Sequence, residues 1–163
     1  MEQHETDEKF MRLALNEAQK ALKQQEVPIG AVVVAGGAVI GRGHNLVETL
    51  ADPTAHARAC NIRETQQDPA GHAEFVAMKA AAAELGVWRL TGCTVYVTLE
   101  PCIMCAGAIG WAQVSRVVWG ADDPKRGYTT VEGLRLHPRT VVVRGVLAAE
   151  CEALMKEFFK ELR

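Results

Sequence analysis

The spacing of apolar residues divides the first quarter of the chain into one helix and two strands. Apolar side chains recur every three or four residues, as in an amphipathic helix, at Phe10, Met11, Ala14, Leu15, Ala18 and Leu22. Thr6 is a candidate cap for this helix, and Val27-Pro28 breaks it. Strand patterns follow at 29–35 and 38–45, and Gly36-Gly37 between them predicts a two-residue hairpin turn.

The second half of the chain alternates between strands and helices. Alanine-rich sequence after Glu74 predicts a helix that ends at Gly86. Three strands are predicted, at 94–99, 114–119 and 140–143. A helix from Cys102 to about Trp111 follows the first of them. A last helix carries an apolar stripe at Leu147, Cys151, Leu154, Met155, Phe158 and Leu162. This order predicts an α/β fold with a mixed five-stranded sheet covered by helices.

Composition limits the class of protein. A chain of 163 residues, 48% hydrophobic and 23% charged, fits one globular domain spanning 1–163. No apolar run approaches membrane-spanning length, and the polar, acidic first seven residues are unlike a secretory leader, so we expect a cytoplasmic protein with no membrane contact. The formal net charge of −2 gives no global attraction to nucleic acid, so RNA binding would need a local patch. Cys60, Cys93 and Cys151 are expected to be small core residues without disulfides.

A tandem echo lies at about 45–73. Residues 45–57 and 61–73 share an asparagine, a Glu-Thr pair, Asp-Pro and His-Ala, offset by 16 positions. The period is too short and the copies too few for a solenoid, so we interpret the echo as a duplication within a loop. The first copy ends in His56-Ala57-Arg58, and arginine cannot shuttle protons. A chance pairing of His56 with Cys60 is favoured over a second metal site.

The second copy ends in His72-Ala73-Glu74, and this triplet, read with Pro101-Cys102-Ile103-Met104-Cys105, carries the candidate chemistry. One histidine and two cysteines give zinc three protein ligands and leave the fourth tetrahedral position for water, as in catalytic sites. The two cysteines share a helix face, and Pro101 suits a first helical turn. Glu74 is the candidate general acid and base. Since positions i and i+2 do not face each other along a helix, we expect His72 and Glu74 at a helix start.

The combination is more specific than its parts. Cys-x-x-Cys alone is typical of redox pairs, structural metal sites or coincidence. Joined to a preceding proline and to an upstream His-x-Glu, it is the signature of zinc-dependent base deaminases. We therefore favour a deaminase over two buried cysteines with an unrelated histidine.

The chain resembles the bacterial tRNA-specific adenosine deaminases of the cytidine deaminase superfamily nearly end to end. The resemblance rests on the segments 26–34, 72–74, 98–108, 120–125 and 145–151 and on Phe158-Phe159. It implies a three-layer α/β/α cytidine deaminase-like fold and zinc-dependent hydrolysis of adenosine to inosine at the wobble position of tRNA. It also implies one zinc ion per subunit and a homodimer.

The resemblance assigns roles to individual residues. His72, Cys102 and Cys105 are expected to bind zinc, and Glu74 is expected to transfer protons. Asn45 is expected to contact the base, because the end of a strand fixes its position. Asn61, in the loop, is the alternative. Contacts with the tRNA anticodon loop are expected at Asp123, Lys125 and Phe159, and further substrate contacts at Val27 and Pro28. The apolar pattern taken alone favours a different role for Phe159, ordinary packing at the edge of the last helix's apolar stripe.

Two departures keep other functions open. The duplication lengthens the loop before the metal helix by 16 residues, and segment 126–138 is shorter than in the family and rewritten. These changes bear on RNA recognition more than on the chemistry. The alternative is a related zinc deaminase acting on a free nucleobase or nucleoside, of guanine or cytosine type. Glu74 argues against a non-catalytic zinc module that binds RNA, because a structural site needs no carboxylate there.

Overall fold

The computed structural model describes residues 2–46 and 71–161, so most of the tandem echo, including His56, Cys60 and Asn61, lies outside the described residues. In chain order the elements are α1 (Glu2–Lys23), β1 (Gly30–Ala35), β2 (Ala38–His44), α2 (Ala73–Leu85), β3 (Cys93–Leu99), α3 (Ile103–Trp111), β4 (Arg116–Ala121), a 3-10 turn (Tyr128–Thr130), β5 (Val141–Arg144) and α4 (Ala148–Glu161). The predicted order is confirmed. No helix within the described ranges is both long and apolar enough to cross a membrane.

The sheet is mixed and has the strand order β2-β1-β3-β4-β5. Strand β1 runs antiparallel to β2 and β3, whereas β3, β4 and β5 run parallel. The start of β1 and the ends of β2, β3 and β4 therefore meet at one edge of the sheet. This edge collects Val27, Asn45, Glu100 and Asp122, which lie just before or after those strands.

Helices cover both faces of the sheet, which confirms the three layers. Alternate strand residues point to opposite faces, so Val32 packs under α1 and α4 whereas Val33 packs under α2 and α3. The first face includes Phe10, Met11, Tyr96, Val118 and Cys151. The second includes Ala77, Ala81, Val95, Ile109 and Trp119. Cys93 and Cys151 are buried free thiols, as predicted.

Helix α2 lies unusually close to the sheet because β2 presents glycines to it. A Cβ atom at Gly43 would lie 2.6 Å from the carbonyl oxygen of Ala73, and one at Gly41 would collide with the carbonyl of Ala77. The small side chains of the helix complete the close approach. Because α2 begins beside His72, this approach sets the position of the metal-binding triplet.

An ion pair fastens α1 to the sheet. The guanidinium of Arg116 on β4 donates two hydrogen bonds of 2.6 Å to the buried carboxylate of Asp7. The Tyr96 hydroxyl donates a third at 2.8 Å. Burial alone would raise the pKa of Asp7, but the hydrogen bonds from Arg116, Tyr96 and Gln3 outweigh it and hold the pKa below its usual value.

The helix and turn boundaries confirm most of the expectations and correct two. Gly36 and Gly37 form the hairpin turn with φ of 57° and 80°, and Gly86 ends α2 with φ of 71°. Thr6 does not cap α1, which begins at Glu2. Its hydroxyl instead donates to the Glu2 carbonyl one turn earlier, at 2.8 Å. Pro101 lies before the N-cap of α3 and outside its first turn.

Candidate metal centre

Two helix starts meet at the edge of the sheet and carry the predicted ligands. His72 is the N-cap residue of α2 and Cys102 is the N-cap residue of α3, and both have extended backbones. Cys105 follows within the first turn of α3 and is fully buried. The expectation that His72 and Glu74 lie at a helix start is confirmed.

The three predicted ligand residues come together. Nδ1 of His72 lies 3.6 Å from Sγ of Cys102 and 3.5 Å from Sγ of Cys105, and all three ligand atoms lie within 4.8 Å of one another. Usual zinc–sulfur and zinc–nitrogen bond lengths at a tetrahedral angle place sulfur and nitrogen roughly 3.5 Å apart. The spacing and the sulfur and imidazole donors therefore fit zinc, and three protein ligands leave one position for water.

The neighbouring thiols of Cys102 and Cys105 shift each other's pKa in opposite directions. A hydrogen bond from Cys105 lowers the pKa of Cys102 to about 4, and the nearby imidazole of His72 lowers it further. The same hydrogen bond, together with burial, raises the pKa of Cys105 well above its usual value. The lowered pKa favours the thiolate form of Cys102, which is the form that binds metal.

Glu74 is a buried carboxyl group beside the ligands. Its residue is 4% exposed, and burial raises its pKa to about 7. A carboxyl group with that pKa can both accept and donate a proton near neutral pH. Its place on the first turn of α2 puts it next to His72 and on the wall of a cleft.

The metal centre opens into a cleft of about 690 Å³. Five of the six predicted substrate contacts line it together with His72, Glu74 and Cys102: Val27, Asn45, Asp123, Lys125 and Phe159. The sixth, Pro28, is buried and is not among the lining residues.

Asn45 is held in place at the end of β2. Its side-chain Nδ2 donates to Oε2 of the buried Glu26 at 3.2 Å, and its backbone N–H donates to the Ile29 carbonyl at 3.1 Å. The side chain is thereby fixed from the strand and from the segment before β1. Asn45 lies on the cleft wall, whereas the alternative, Asn61, lies outside the described residues, so the choice between them stays a prediction.

One face of α4 lines the cleft, and the apolar pattern did not reveal it. Glu152, Met155, Lys156 and Phe159 recur at helical spacing and all face the cavity. Of the predicted apolar stripe within the described part of α4, only Cys151 is fully buried. Phe159 is 47% exposed, so it has a free surface in addition to its edge contact with Phe158. The spacing of these four residues was the available signal, but two of them are charged.

The loop after β4 supplies cations to the cleft. Lys125 and Arg126 line it, and Lys156 on α4 adds a third positive charge. Asp123 organises the loop, since its Oδ1 accepts hydrogen bonds from the backbone N–H groups of Lys125 and Arg126 at 3.1 and 3.0 Å. The same wall also carries acidic side chains, those of Glu74, Glu100, Asp122, Asp123 and Glu152, so the positive charge is confined to the loop after β4 and to Lys156.

Comparisons with known proteins agree with this geometry. The family model of the MafB19-like deaminases matches residues 5–163. The chain is 45% identical to the tRNA-specific adenosine deaminase of Bacillus subtilis over 162 residues, covering 96% of this chain and 91% of that protein.

Two solved structures resemble the fold. One, from a study of A-to-I editing by tRNA:A34 deaminases, matches with a TM-score of 0.71 and 38% identity, covering 89% of this chain and 97% of the other. The guanine deaminase of Bacillus subtilis matches with a TM-score of 0.56 and 35% identity, covering 71% of this chain and 64% of the other.

Proposed function

The chain belongs to the MafB19-like deaminase family, among the tRNA-specific adenosine deaminases, and we propose that it hydrolyses adenosine to inosine at the wobble position of tRNA. The observation that carries the proposal is the His72, Cys102 and Cys105 cluster, which opens into a cleft beside a buried carboxyl group. Similarity to tRNA deaminases over nearly the whole chain supplies the substrate class.

The cluster holds one zinc ion per subunit. Its nitrogen and two sulfurs have the chemistry and spacing for that ion, and the lowered pKa of Cys102 favours the thiolate that binds metal. When bound, zinc lowers the pKa of a coordinated water to about 7 and so supplies a nucleophile at neutral pH.

Glu74 moves the protons of the reaction. Its carboxylate takes a proton from the water that attacks C6 of adenine and passes it to the ring nitrogen as C6 becomes tetrahedral. The carboxylate, free again, takes the proton of the new hydroxyl group on C6 and passes it to the amine, so that ammonia departs and inosine remains. Burial prepares Glu74 for both steps, because it disfavours the charged form and keeps bulk water away.

The cleft walls bind the nucleotide. Asn45 contacts the base and Val27 packs beside it. Lys125 meets the phosphate backbone, and Asp123 contributes by fixing the backbone that carries Lys125. Phe159 stacks on a neighbouring base, an interaction worth about 1–3 kcal/mol. A single-stranded anticodon loop lets the target base leave its stack at low cost.

We further propose a homodimer. Helix α3 presents large apolar side chains to the surface: Ile103, Met104 and Trp111, the last 81% exposed. A surface of that kind is typical of a protein interface. A second copy of the chain is the occupant that the resemblance implies. The cytoplasmic location and the single-domain organisation stay predictions.

An anticodon stem-loop with adenosine at the wobble position tests the proposed function. We expect inosine in the RNA by mass spectrometry and stoichiometric ammonia. The control is the same stem-loop with the adenosine moved to a paired position, where no inosine should form. Turnover of free bases with none of the stem-loop would refute the tRNA assignment.

A free-base deaminase of guanine type is the second candidate. Its support is the 35% identity to the Bacillus subtilis guanine deaminase, together with the rewritten segment 126–138. The tRNA assignment is favoured because the tRNA deaminase structure matches more of the chain with a higher TM-score. Free guanine in the same assay decides between the two.

A further inference from the structure

Glu100 is a buried carboxylate that the chemistry described above leaves unused. It follows β3 directly, two positions before Cys102, and is 3% exposed, yet it contributes to the cleft wall. A buried carboxylate needs hydrogen-bond donors to offset its lost hydration. The groups that donate hydrogen bonds to Glu100 therefore indicate its structural role.

Among the residues that the structure describes, its three donors all belong to the segment that follows β4. Oε2 of Glu100 accepts from the hydroxyl of Thr129 at 2.8 Å and from its backbone N–H at 3.2 Å. Oε1 accepts from the backbone N–H of Asp123 at 3.4 Å. One carboxylate therefore holds both ends of the segment 123–129.

The middle of this segment packs directly against the carboxylate. A Cβ atom at Gly127 would collide with the side chain of Glu100, so only glycine fits there without a shift. Gly127 also pairs with Cys102 in an isolated antiparallel bridge, and the N–H of Tyr128 donates to the Pro101 carbonyl at 2.9 Å. The segment is thus attached to the stretch of chain that carries a metal ligand.

The attachment reaches the cleft cations through Asp123. Glu100 accepts from the N–H of Asp123, whose own side chain accepts from the N–H groups of Lys125 and Arg126. The side chains of Lys125 and Arg126 take no part in this chain of bonds and are exposed at the cleft.

We infer that Glu100 is a positioning residue for nucleic-acid binding: its carboxylate anchors segment 123–129 so that Lys125 and Arg126 face the phosphates of the substrate beside the metal centre. This inference rests on the proposed function, since it requires an anionic polynucleotide in the cleft. It assigns Glu100 no contact with the reacting atoms.

Neutralising Glu100 should change the affinity for RNA in the opposite direction to the one that simple electrostatics predicts. Removing a negative charge from a cleft that binds an anion normally strengthens binding. Glu152 provides that comparison, because it lines the same cleft from α4 and is exposed. Neutralising Glu152 should therefore tighten RNA binding, whereas neutralising Glu100 should weaken it, because the replaced oxygen no longer accepts from the loop.

The experiment compares Glu100→Gln with Glu152→Gln in the full-length zinc enzyme, on the wobble-adenosine stem-loop. For Glu100→Gln we expect KM to rise about tenfold, as for the loss of a hydrogen bond to a charged group, with kcat within threefold and one zinc per subunit. For Glu152→Gln we expect KM to stay the same or fall. Amide hydrogen exchange should accelerate across 123–129 in Glu100→Gln alone.

Thr129→Val is the second variant and keeps the test valid if Glu100→Gln folds poorly. Thr129 is exposed, and its substitution removes the 2.8 Å donor from the loop side. We expect a smaller rise in KM in the same direction and faster exchange at the same amides.

The outcomes separate this inference from the proposed function. A wild-type enzyme that does not deaminate the stem-loop refutes the proposed function. With an active wild type, an unchanged or lower KM in both Glu100→Gln and Thr129→Val overturns the inference alone. A loss of zinc or a fall in kcat at constant KM in Glu100→Gln also overturns it, by placing Glu100 in the metal centre.

Discussion

Nδ1 of His72 lies 3.5 Å from Sγ of Cys105 although 33 positions separate the two residues in the chain. The contact joins the starts of α2 and α3, two helices that pack on the same face of the sheet. A metal ion at this point would therefore tie together two segments that the sheet already brings close.

Cys105→Ala should abolish zinc binding at stoichiometric metal. The variant leaves two protein ligands, and we expect zinc affinity to fall by more than about 100-fold, beyond the effect of losing an outer partner of a ligand. Metal content measured by mass spectrometry checks this. Cys93→Ala is the matched control, since Cys93 is also buried but lies outside the cluster, and it should retain one zinc. Full zinc occupancy in Cys105→Ala would exclude the assigned site.

Glu74→Gln should keep zinc and lose turnover. An amide cannot carry the proton, so we expect the rate to fall by about 10²–10⁴-fold, the usual contribution of general acid–base catalysis. Ammonia release and metal content are measured on the same sample. Glu84→Gln, an exposed change on the same helix, should behave as wild type. Undiminished ammonia release would show that another group moves the proton.

Asp7→Asn should lower the free energy of unfolding by about 3–5 kcal/mol at neutral pH, because it leaves Arg116 without its carboxylate partner. Asp122→Asn breaks the exposed pair with Arg144 and should cost less than about 1 kcal/mol. Urea unfolding measures both.

The cost of Asp7→Asn should also depend on pH. The pKa of Asp7 is lowered in the folded state, so its contribution is fully present above the usual value of 3.8 and is lost as pH falls through the folded-state pKa. The difference between wild type and Asp7→Asn should therefore shrink below about pH 4. A difference that stays constant down to pH 2 would show that ionisation of Asp7 contributes nothing.

Phe159→Ala should weaken binding of the anticodon stem-loop by about 1–3 kcal/mol, the range for one base stacked on an aromatic ring. Phe159→Tyr keeps a ring and should keep the affinity. Fluorescence anisotropy with a labelled stem-loop measures both. Equal affinities for alanine and tyrosine at this position would support simple packing at the edge of α4.

Gly43→Ala should destabilise the fold and disturb the metal site, because the added methyl group meets the backbone of α2 at 2.6 Å. We expect a cost of about 1–3 kcal/mol, typical of overpacking, and weaker zinc binding. Gly107→Ala is the contrasting change within one subunit, since none of the described residues lies within 4 Å of its Cβ position on α3. Gly107 lies between Met104 and Trp111 on the proposed dimer surface, so the comparison is made at a protein concentration below dimer formation, where the change should stabilise by up to about 1 kcal/mol. A higher melting temperature for Gly43→Ala than for Gly107→Ala would contradict the close packing of α2 against β2.

Much of the fold was predictable because local signals agreed with the final structure. The glycine pair at 36–37 and the lone Gly86 adopt the left-handed backbone that their positions suggested. The ligand set could also be predicted, because Cys-x-x-Cys places one ligand at the N-cap of α3 and the other in its first turn, and the His-x-Glu triplet marks the start of α2. The prediction that Thr6 caps α1 was wrong because the helix begins earlier. Inside a helix, a threonine hydroxyl can donate to the carbonyl group one turn before it.

The rest of the site could not be predicted, for a physical reason. Glu26 and Glu100 are acidic residues that become buried only through distant partners, and no periodic pattern marks such a residue. The cleft face of α4 mixes charges with Met155 and Phe159, so it does not resemble a buried stripe. Asp123 was predicted as a substrate contact, and its hydrogen bonds to the loop backbone depend on a turn that the sequence alone does not specify.

The bond pattern of segment 123–129 has a consequence for how new specificities arise. Its backbone is fastened by Glu100, Asp123 and Gly127, whereas the side chains of Lys125 and Arg126 point into the cleft without supporting the loop. Substitutions at those two positions can therefore change which substrates bind without altering the backbone of the loop. Family members with the same metal chemistry could diverge in substrate through such exchanges while their catalytic apparatus stays untouched.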